Sequence, residues 1–290
     1  MRRWRDAALA SMRLVSERPE LWLPGALAWT ASIGWLPLLV AVARPPSVAE
    51  LTFLGARIAS AGAWPWNVVL IGTVAVVLVL LAFALAAAAN TIVIALHEGR
   101  RPTVDDGVRV LAVSLIAAVP AILAAIVAIL ALVAVAPTEF NAPEPAGGPI
   151  QRTLLRLLPY LALLGLTSAG GGAFAAVAGR LALQRRTDSV GAVLRAAPAV
   201  ALRAPMALHA TVAFILQLVF LGFVLLLLGV LWAPIGEQLV VGGEVDVAIG
   251  LLLVGFVAIW LCLILAGGAL HAWSAATWSR LIATDPPERT

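Results

Sequence analysis

The sequence predicts an all-α integral membrane protein with six transmembrane helices in three tandem hairpin repeats, each preceded by a cytoplasmic interfacial amphipathic helix. Three observations predict this class. Hydrophobic residues make up 62% of the 290 positions and charged residues only 12%, whereas soluble domains carry about 25% charged residues. The apolar residues form stretches long enough to cross a hydrocarbon core of about 30 Å. Arginines collect at one side of these stretches.

Each apolar stretch is interpreted as one membrane-spanning helix. Lipid offers no hydrogen-bond partner, so a span must satisfy its own backbone, and alanine- and leucine-rich runs without two-residue alternation do not suit barrel strands. One membrane domain is therefore expected over 1–290. Its spans are predicted at 21–43, 67–96, 117–136, 157–183, 206–232 and 247–278. The first follows a charged stretch without a small-residue cleavage site, so a cleaved signal peptide is not expected.

Arginine provides every basic residue of the chain and determines the predicted orientation. Loops on the cytoplasmic side of a membrane are enriched in basic residues, so both termini are expected in the cytoplasm. That side then holds Arg2, Arg3, Arg5, Arg13, Arg18, Arg100, Arg101, Arg109, Arg180, Arg185, Arg186, Arg195, Arg203, Arg280 and Arg289, and the outer side holds Arg44, Arg57, Arg152 and Arg156. Aromatic belts are expected at Trp64, Trp66 and Trp232 outside, and at Trp22, Trp273 and Trp278 inside.

A pattern of acid, amphipathic helix and proline recurs before each outgoing span. It runs over 6–19, 105–120 and 188–205, with apolar residues at helical spacing on one face. Thr103 and Thr187 are the expected N-caps of the second and third of these helices. The repeats cover approximately 3–98, 103–186 and 187–280, and units of one orientation are related by an axis along the membrane normal.

This serial arrangement resembles that of poorly characterised bacterial multipass proteins similar to the glycerophosphodiester phosphodiesterase membrane domain. The resemblance rests on Asp6–Arg13 before Pro19 and Asp188–Arg195 before Pro205, while Asp105–Arg109 departs from the spacing. It implies a bacterial inner-membrane protein without catalytic residues, because the phosphodiesterase chemistry of such proteins belongs to a separate soluble domain.

Polar residues in or near the spans are few. Those forming a candidate polar pocket are Asn90, His97, Thr167, Ser168, Gln217 and His271. Asn90 and His97 share a helix face, and interhelical hydrogen bonding is the favoured interpretation of the set. The scattered histidines lack zinc-ligand spacing, so neither a metal nor a cofactor is expected.

An adjacent pair of aspartates and the glycines of two spans are two further features with a possible role in function. Asp105 and Asp106 point about 100° apart on a helix, so Asp105 is interpreted as a first-turn charge that complements the helix dipole. Glycines in the fourth and sixth spans let helix backbones approach closely, and the alternative is a locally unwound helix that offers carbonyls to a substrate. These glycines are Gly165, Gly170, Gly171, Gly172, Gly267 and Gly268.

The sequence favours a non-catalytic membrane protein, a scaffold or subunit that contacts lipid and assembles with other membrane chains or with itself, without nucleic acid. No phosphate-binding loop, nucleophile elbow or paired-cysteine motif occurs in it. The alternative is a transporter or permease component for an apolar or lipid-like substrate, with a cavity lined by Asn90, Thr167, Ser168 and Gln217. A membrane-embedded hydrolase or transferase would need His97, Glu98, Asp105 and His271 to converge.

Overall fold

The computed structural model describes residues 1–42, 66–140, 148–241 and 247–284, which are helical almost throughout and contain no strand. Nine α-helices lie in these ranges: α1 Arg2–Glu17, α2 Trp22–Trp29, α3 Trp35–Val42, α4 Trp66–His97, α5 Val104–Phe140, α6 Pro149–Gln184, α7 Val190–Ala201, α8 Ala204–Val241 and α9 Val247–Thr284. A 3₁₀ turn at Pro19–Leu21 precedes α2, and a π-helical turn at Thr30–Gly34 joins α2 to α3. Arg44, Arg57, Trp64 and Arg289 lie outside the described residues.

Among the described residues, six helical segments are long and apolar enough to cross a membrane, which makes the chain a polytopic membrane protein and confirms the predicted number of spans. They are Pro19–Val40, Val69–His97, Val104–Glu139, Ile150–Gln184, Ala204–Leu239 and Val247–Ala283. The fifth predicted span ends too early, because α8 continues past Trp232 and Pro234 to Val241. At about 1.5 Å per residue, α8 is roughly 57 Å long and extends beyond a hydrocarbon core of about 30 Å.

The second expected interfacial helix is not a separate element, so that prediction was wrong. α5 runs without a break from Val104 to Phe140 and contains Pro120. A proline removes one backbone donor and bends a helix, but inside a membrane the remaining backbone groups have no alternative to helical bonding. The first and third expected segments form the separate helices α1 and α7.

The start of α7 also differs from the expectation. Ser189 is its N-cap, and the Ser189 hydroxyl accepts a hydrogen bond from the Ala192 backbone N–H at 3.3 Å. Thr187 lies two residues earlier, and the Arg185 carbonyl accepts from the backbone N–H of Asp188 at 3.0 Å, so the chain turns there before the helix begins. Ser189, the residue that follows this turn, therefore caps α7.

Contacts within the chain fall into two compact units. The first unit comprises Met1–Trp4, Thr103–Phe214 and Trp278–Thr290, and the second comprises Arg5–Pro102 and Ile215–Thr277. The one membrane domain expected over 1–290 thus contains two units, and the boundaries between them fall within α1, α8 and α9 and beside α5.

The α5–α6 hairpin forms the first unit's core. Its helices pack along their length, with Val113 and Ala117 of α5 and Val177 of α6 buried. A Cβ built on Gly171 would lie 2.6 Å from the Ala117 carbonyl oxygen, so only glycine permits this backbone approach. α7 packs against α6 through a buried stripe that includes Val193.

The second unit has its core between α8 and α9. Val224, Leu228 and Ile235 of α8 pack with Phe256 and Leu263 of α9, and Leu38 of α3 adds to this cluster. The Trp232 and Phe256 rings lie 5.2 Å apart. The helices are thus held together by large side chains in one region and by glycines in another, described below.

Candidate functional site

Close contact between α2 and α9 organises the second unit. A Cβ on Gly268 would lie 2.5 Å from both the Ala26 backbone nitrogen and the Trp22 carbonyl oxygen, and a Cβ on Gly25 would fall on the Gly268 carbonyl oxygen. The Trp29 ring, almost fully buried, fills the space beside Gly267. Gly267 and Gly268 of the sixth span therefore allow the first span to pack closely against α9.

Asn90 and His271 lie next to this crossing and bind each other. The Asn90 Oδ1 and His271 Nε2 atoms are 2.7 Å apart, and the two half-buried side chains join α4 to α9. A polar pair within helices is stabilising when both partners are satisfied by each other. This pair is therefore an interhelical hydrogen bond that fixes how α4 meets α9.

The remaining residues of the expected pocket lie in separate surroundings. Thr167 and Ser168 belong to the first unit, whereas His97 and Gln217 belong to the second. The Thr167 hydroxyl donates to the Leu163 carbonyl oxygen of its own helix at 2.9 Å, and Ser168 is exposed. His97 and Gln217 are half-buried. Within the six residues, the structure pairs Asn90 with His271.

The expected packing glycines also differ among themselves. Within the described ranges, nothing lies within 4 Å of a Cβ built on Gly165, Gly170 or Gly172. Gly171, between them, meets α5 as described above. α6 is helical through all four positions, so the alternative of a locally unwound helix does not describe this segment. Cys262 of α9 is exposed.

Two tryptophans of the second unit donate hydrogen bonds to the part of α1 that belongs to the same unit. The indole N–H of Trp22 donates to the Val15 carbonyl oxygen at 2.9 Å, and that of Trp273 donates to the Ala8 carbonyl oxygen at 3.0 Å. Ala8 and Val15 are seven residues apart, so they share a helix face, and both are buried. Trp22 and Trp273, which were expected in the inner aromatic belt, thus donate hydrogen bonds to backbone carbonyls of the protein.

A third tryptophan contact lies in the first unit, around His209. His209 is fully buried; its Nδ1 accepts a hydrogen bond from the Trp4 indole N–H at 3.4 Å. The Trp278 ring meets the imidazole edge to face, with centroids 4.8 Å apart. Because Nδ1 accepts, the imidazole in this arrangement carries no proton there. No sequence pattern indicated this contact, since its partners are far apart along the chain.

Asp106, rather than its exposed neighbour Asp105, is the buried carboxylate at the start of α5. It accepts from the Thr103 backbone N–H at 3.2 Å, and the Thr103 hydroxyl accepts from the Asp106 N–H at 3.3 Å. This reciprocal capping box confirms Thr103 as N-cap. Asp106 also accepts from Arg186 at 2.7 Å, which links the start of α5 to the residues after α6.

Arg109 completes this junction. Its guanidinium donates to the carbonyl oxygens of Ala182 at 3.1 Å, Arg185 at 3.4 Å and Asp188 at 2.8 Å. The last carbonyls of a helix have no partner within the helix, so Arg109 satisfies groups at the end of α6 and in the turn that follows. The sequence assigned Arg109 only to the cytoplasmic charge.

At the opposite end of the hairpin, Glu139 binds two arginines. Its carboxylate lies 2.9 Å from the Arg152 Nε and 2.8 Å from the Arg156 Nε. Arg152 also donates to the Glu139 carbonyl oxygen at 2.9 Å. Glu139 is buried, whereas the Arg156 side chain is 64% exposed. The expected third span ended at 136, which left this carboxylate unassigned.

Two of the carboxylates that the hydrolase alternative would need each lie near an arginine. Glu98 is 2.7 Å from Arg100, and Asp105 is 3.8 Å from Arg109. Among the described residues, no group of three His, Cys, Asp or Glu side chains could hold a metal ion. No protein-family model, curated protein or solved structure matches this chain, and the resemblance noted from the sequence stays a prediction.

Proposed function

We propose that this chain is a non-catalytic scaffold or subunit of a membrane complex. The proposal depends on one observation, which is the small share of each span that other parts of the same chain bury. In five of the six spans, at most 17% of the most apolar stretch is buried, and in α4 the share is 0%. Such spans leave most of their apolar surface to lipid or to the helices of another chain.

The outer half of α4 is the surface proposed for this assembly. Every residue of 69–81 is exposed, on all faces of the helix. Packing against neighbouring helices sets the tilt and rotation of a span, and within the described residues this half of α4 has no such neighbour. Gly72 lies in it, and a Cβ there would meet open space. A second membrane chain could approach closely at that point.

The proposed topology has three serial hairpins with both termini in the cytoplasm of a bacterial cell. Arg109 and Arg186 both lie at the hairpin end assigned to the cytoplasm. α1 and α7 are two helices that precede outgoing spans. We place both helices at the inner leaflet, with exposed Arg13 and Arg195 toward its headgroups.

A substitution of Gly72 tests the assembly without disturbing the chain itself. Gly72→Leu places its side chain in space that the chain leaves open. The matched control is Gly222→Leu, an equally open, exposed glycine on α8 beside the buried core residue Val224. Complexes extracted into native lipid nanodiscs by copolymer are weighed by mass spectrometry.

We expect a wild-type mass above the 30.1 kDa of one chain. Gly72→Leu should lower the assembled fraction roughly tenfold, the effect of losing about 1.4 kcal/mol at an interface, while Gly222→Leu should leave it unchanged. A wild-type chain that is monomeric in these discs contradicts the proposal. A monomer that moves fluorescent phospholipid between the leaflets of a vesicle would instead favour the transporter alternative.

A further inference from the structure

The charges around Glu139 do not balance. One carboxylate faces two guanidinium groups, at 2.9 Å from Arg152 and 2.8 Å from Arg156. A buried charge is stable when it is paired, and one arginine would be enough to balance the charge of Glu139. The cluster therefore carries one excess positive charge among the described residues. At the other end of the hairpin, Asp106 accepts from Arg186 at 2.7 Å.

Arg156 carries the part of this excess that a ligand can reach. Arg152 is 17% exposed and uses a second nitrogen on the Glu139 backbone, whereas Arg156 is 64% exposed and contacts Glu139 through its Nε. Within the described ranges Arg156 has no other hydrogen-bond or ion-pair partner. Its two terminal nitrogens remain able to donate, in the fork that matches a phosphate group.

The position of Arg156 along α6 corresponds to the membrane interface. The uncharged stretch 157–179 covers roughly 35 Å at about 1.5 Å per residue, close to the thickness of a hydrocarbon core of about 30 Å. Tyr160 and Leu163, four and seven residues further along α6, are exposed and share the helix face of Arg156. Tyrosine is typical of the headgroup level.

We propose that Arg156, oriented by Glu139, binds the phosphate of an anionic phospholipid headgroup at the turn end of the α5–α6 hairpin. The phosphodiester of an anionic phospholipid carries one negative charge that no headgroup ammonium compensates, and so neutralises the one excess positive charge counted among the described residues. The exposed Leu163 on the same face contacts the acyl chains of the same lipid. In the topology proposed above, this is the outer leaflet. The site depends on a membrane-embedded hairpin and not on the assembly proposed for α4.

Binding of defined lipids to the delipidated full chain tests this site. Phosphatidylglycerol or phosphatidylcholine is added to the protein in detergent, and the bound fraction is measured by native mass spectrometry. The variant is Arg156→Gln. Its matched control is Arg101→Gln, which removes one charge from another exposed arginine, in the segment between α4 and α5.

We expect Arg156→Gln to weaken phosphatidylglycerol binding roughly tenfold, as loss of a charge-assisted hydrogen bond does, with phosphatidylcholine binding little changed. Arg101→Gln should bind like the wild type. Equal weakening in both variants would mean general electrostatic attraction and would overturn the site. So would displacement of the lipid by inorganic phosphate at equal concentration, which would assign the arginine to a soluble anion.

Glu139→Gln separates binding from a merely structural role. It raises the net positive charge of the cluster from one to two, and its amide keeps one acceptor oxygen for an arginine, so phosphatidylglycerol binding should be retained or strengthened. If the cluster served only to hold α5 against α6, Glu139→Gln and Arg156→Gln would weaken lipid binding together. Circular dichroism and gel-filtration elution confirm that each variant is folded.

Discussion

Gly268→Ala should destabilise the second unit, because its new methyl group would meet backbone rather than flexible side chain. The Cβ would lie 2.5 Å from the Ala26 nitrogen and the Trp22 carbonyl oxygen, whereas carbon atoms pack at about 3.5–4.0 Å. α2 and α9 would therefore have to separate by about 1 Å. Overpacking of this kind costs about 1–3 kcal/mol.

The intrinsic preference of helices for alanine acts in the opposite direction and needs a control. Gly→Ala in a helix gains about 0.5–1 kcal/mol. Gly255→Ala lies in the same helix with nothing within 4 Å of the added Cβ, so it takes the gain without the clash. The two variants should thus differ by about 1–3 kcal/mol in free energy of unfolding.

Reversible unfolding measures this difference. Purified chains in mixed micelles are titrated with sodium dodecyl sulfate and followed by far-ultraviolet circular dichroism. Tryptophan emission provides a second readout, since Trp22 and Trp29 border the contact. If Gly268→Ala and Gly255→Ala unfold within about 0.5 kcal/mol of each other, the backbone contact between α2 and α9 is refuted.

Three further predictions concern single contacts. Arg109→Ala should lower the free energy of unfolding by about 2–3 kcal/mol and speed amide hydrogen exchange in the residues after α6. The Asp105 side chain is 80% exposed, so Asp105→Asn should change the free energy of unfolding by no more than about 0.5 kcal/mol. Equal effects of the two variants would contradict the role of Arg109. Ser189→Ala should destabilise α7 by about 1 kcal/mol and Thr187→Ala should not, as chemical unfolding would show. Trp273→Phe should lose the bond to Ala8 and raise protease cleavage within α1, while Trp260→Phe, whose indole N–H has no partner among the described residues, should cleave like the wild type.

The spans were predictable because lipid imposes a condition that composition alone reveals. A segment without charge for about 20 residues must be helical to satisfy its backbone. Helix ends within polar surroundings follow weaker local preferences, and there the expectations were less accurate. Pro120 was taken as a boundary, yet α5 continues through it, because a proline stops a helix only where the freed backbone groups can find water or another partner.

Side-chain contacts were predictable only where both partners lie close in sequence. The Thr103–Asp106 capping box spans four residues and can be inferred from them. Asn90 and His271 are separated by 181 positions, and their pairing depends on how α4 and α9 meet. Sequence could place each on a helix face. It could not choose a partner, because three-dimensional packing and not spacing brings them together.

The arginines show why orientation and folding must be tested with different residues. Topology is determined by the basic residues that flank each span, whereas Arg109 and Arg186 also hold the α5–α6 hairpin together. Replacing these two would disturb the fold as well as the charge bias, so the cause of any change would be ambiguous. Arg13 and Arg101 are exposed, so their charge can be removed at little structural cost. An orientation that inverts when exposed arginines are moved across a span, with hairpin stability unchanged, would therefore attribute topology to charge alone.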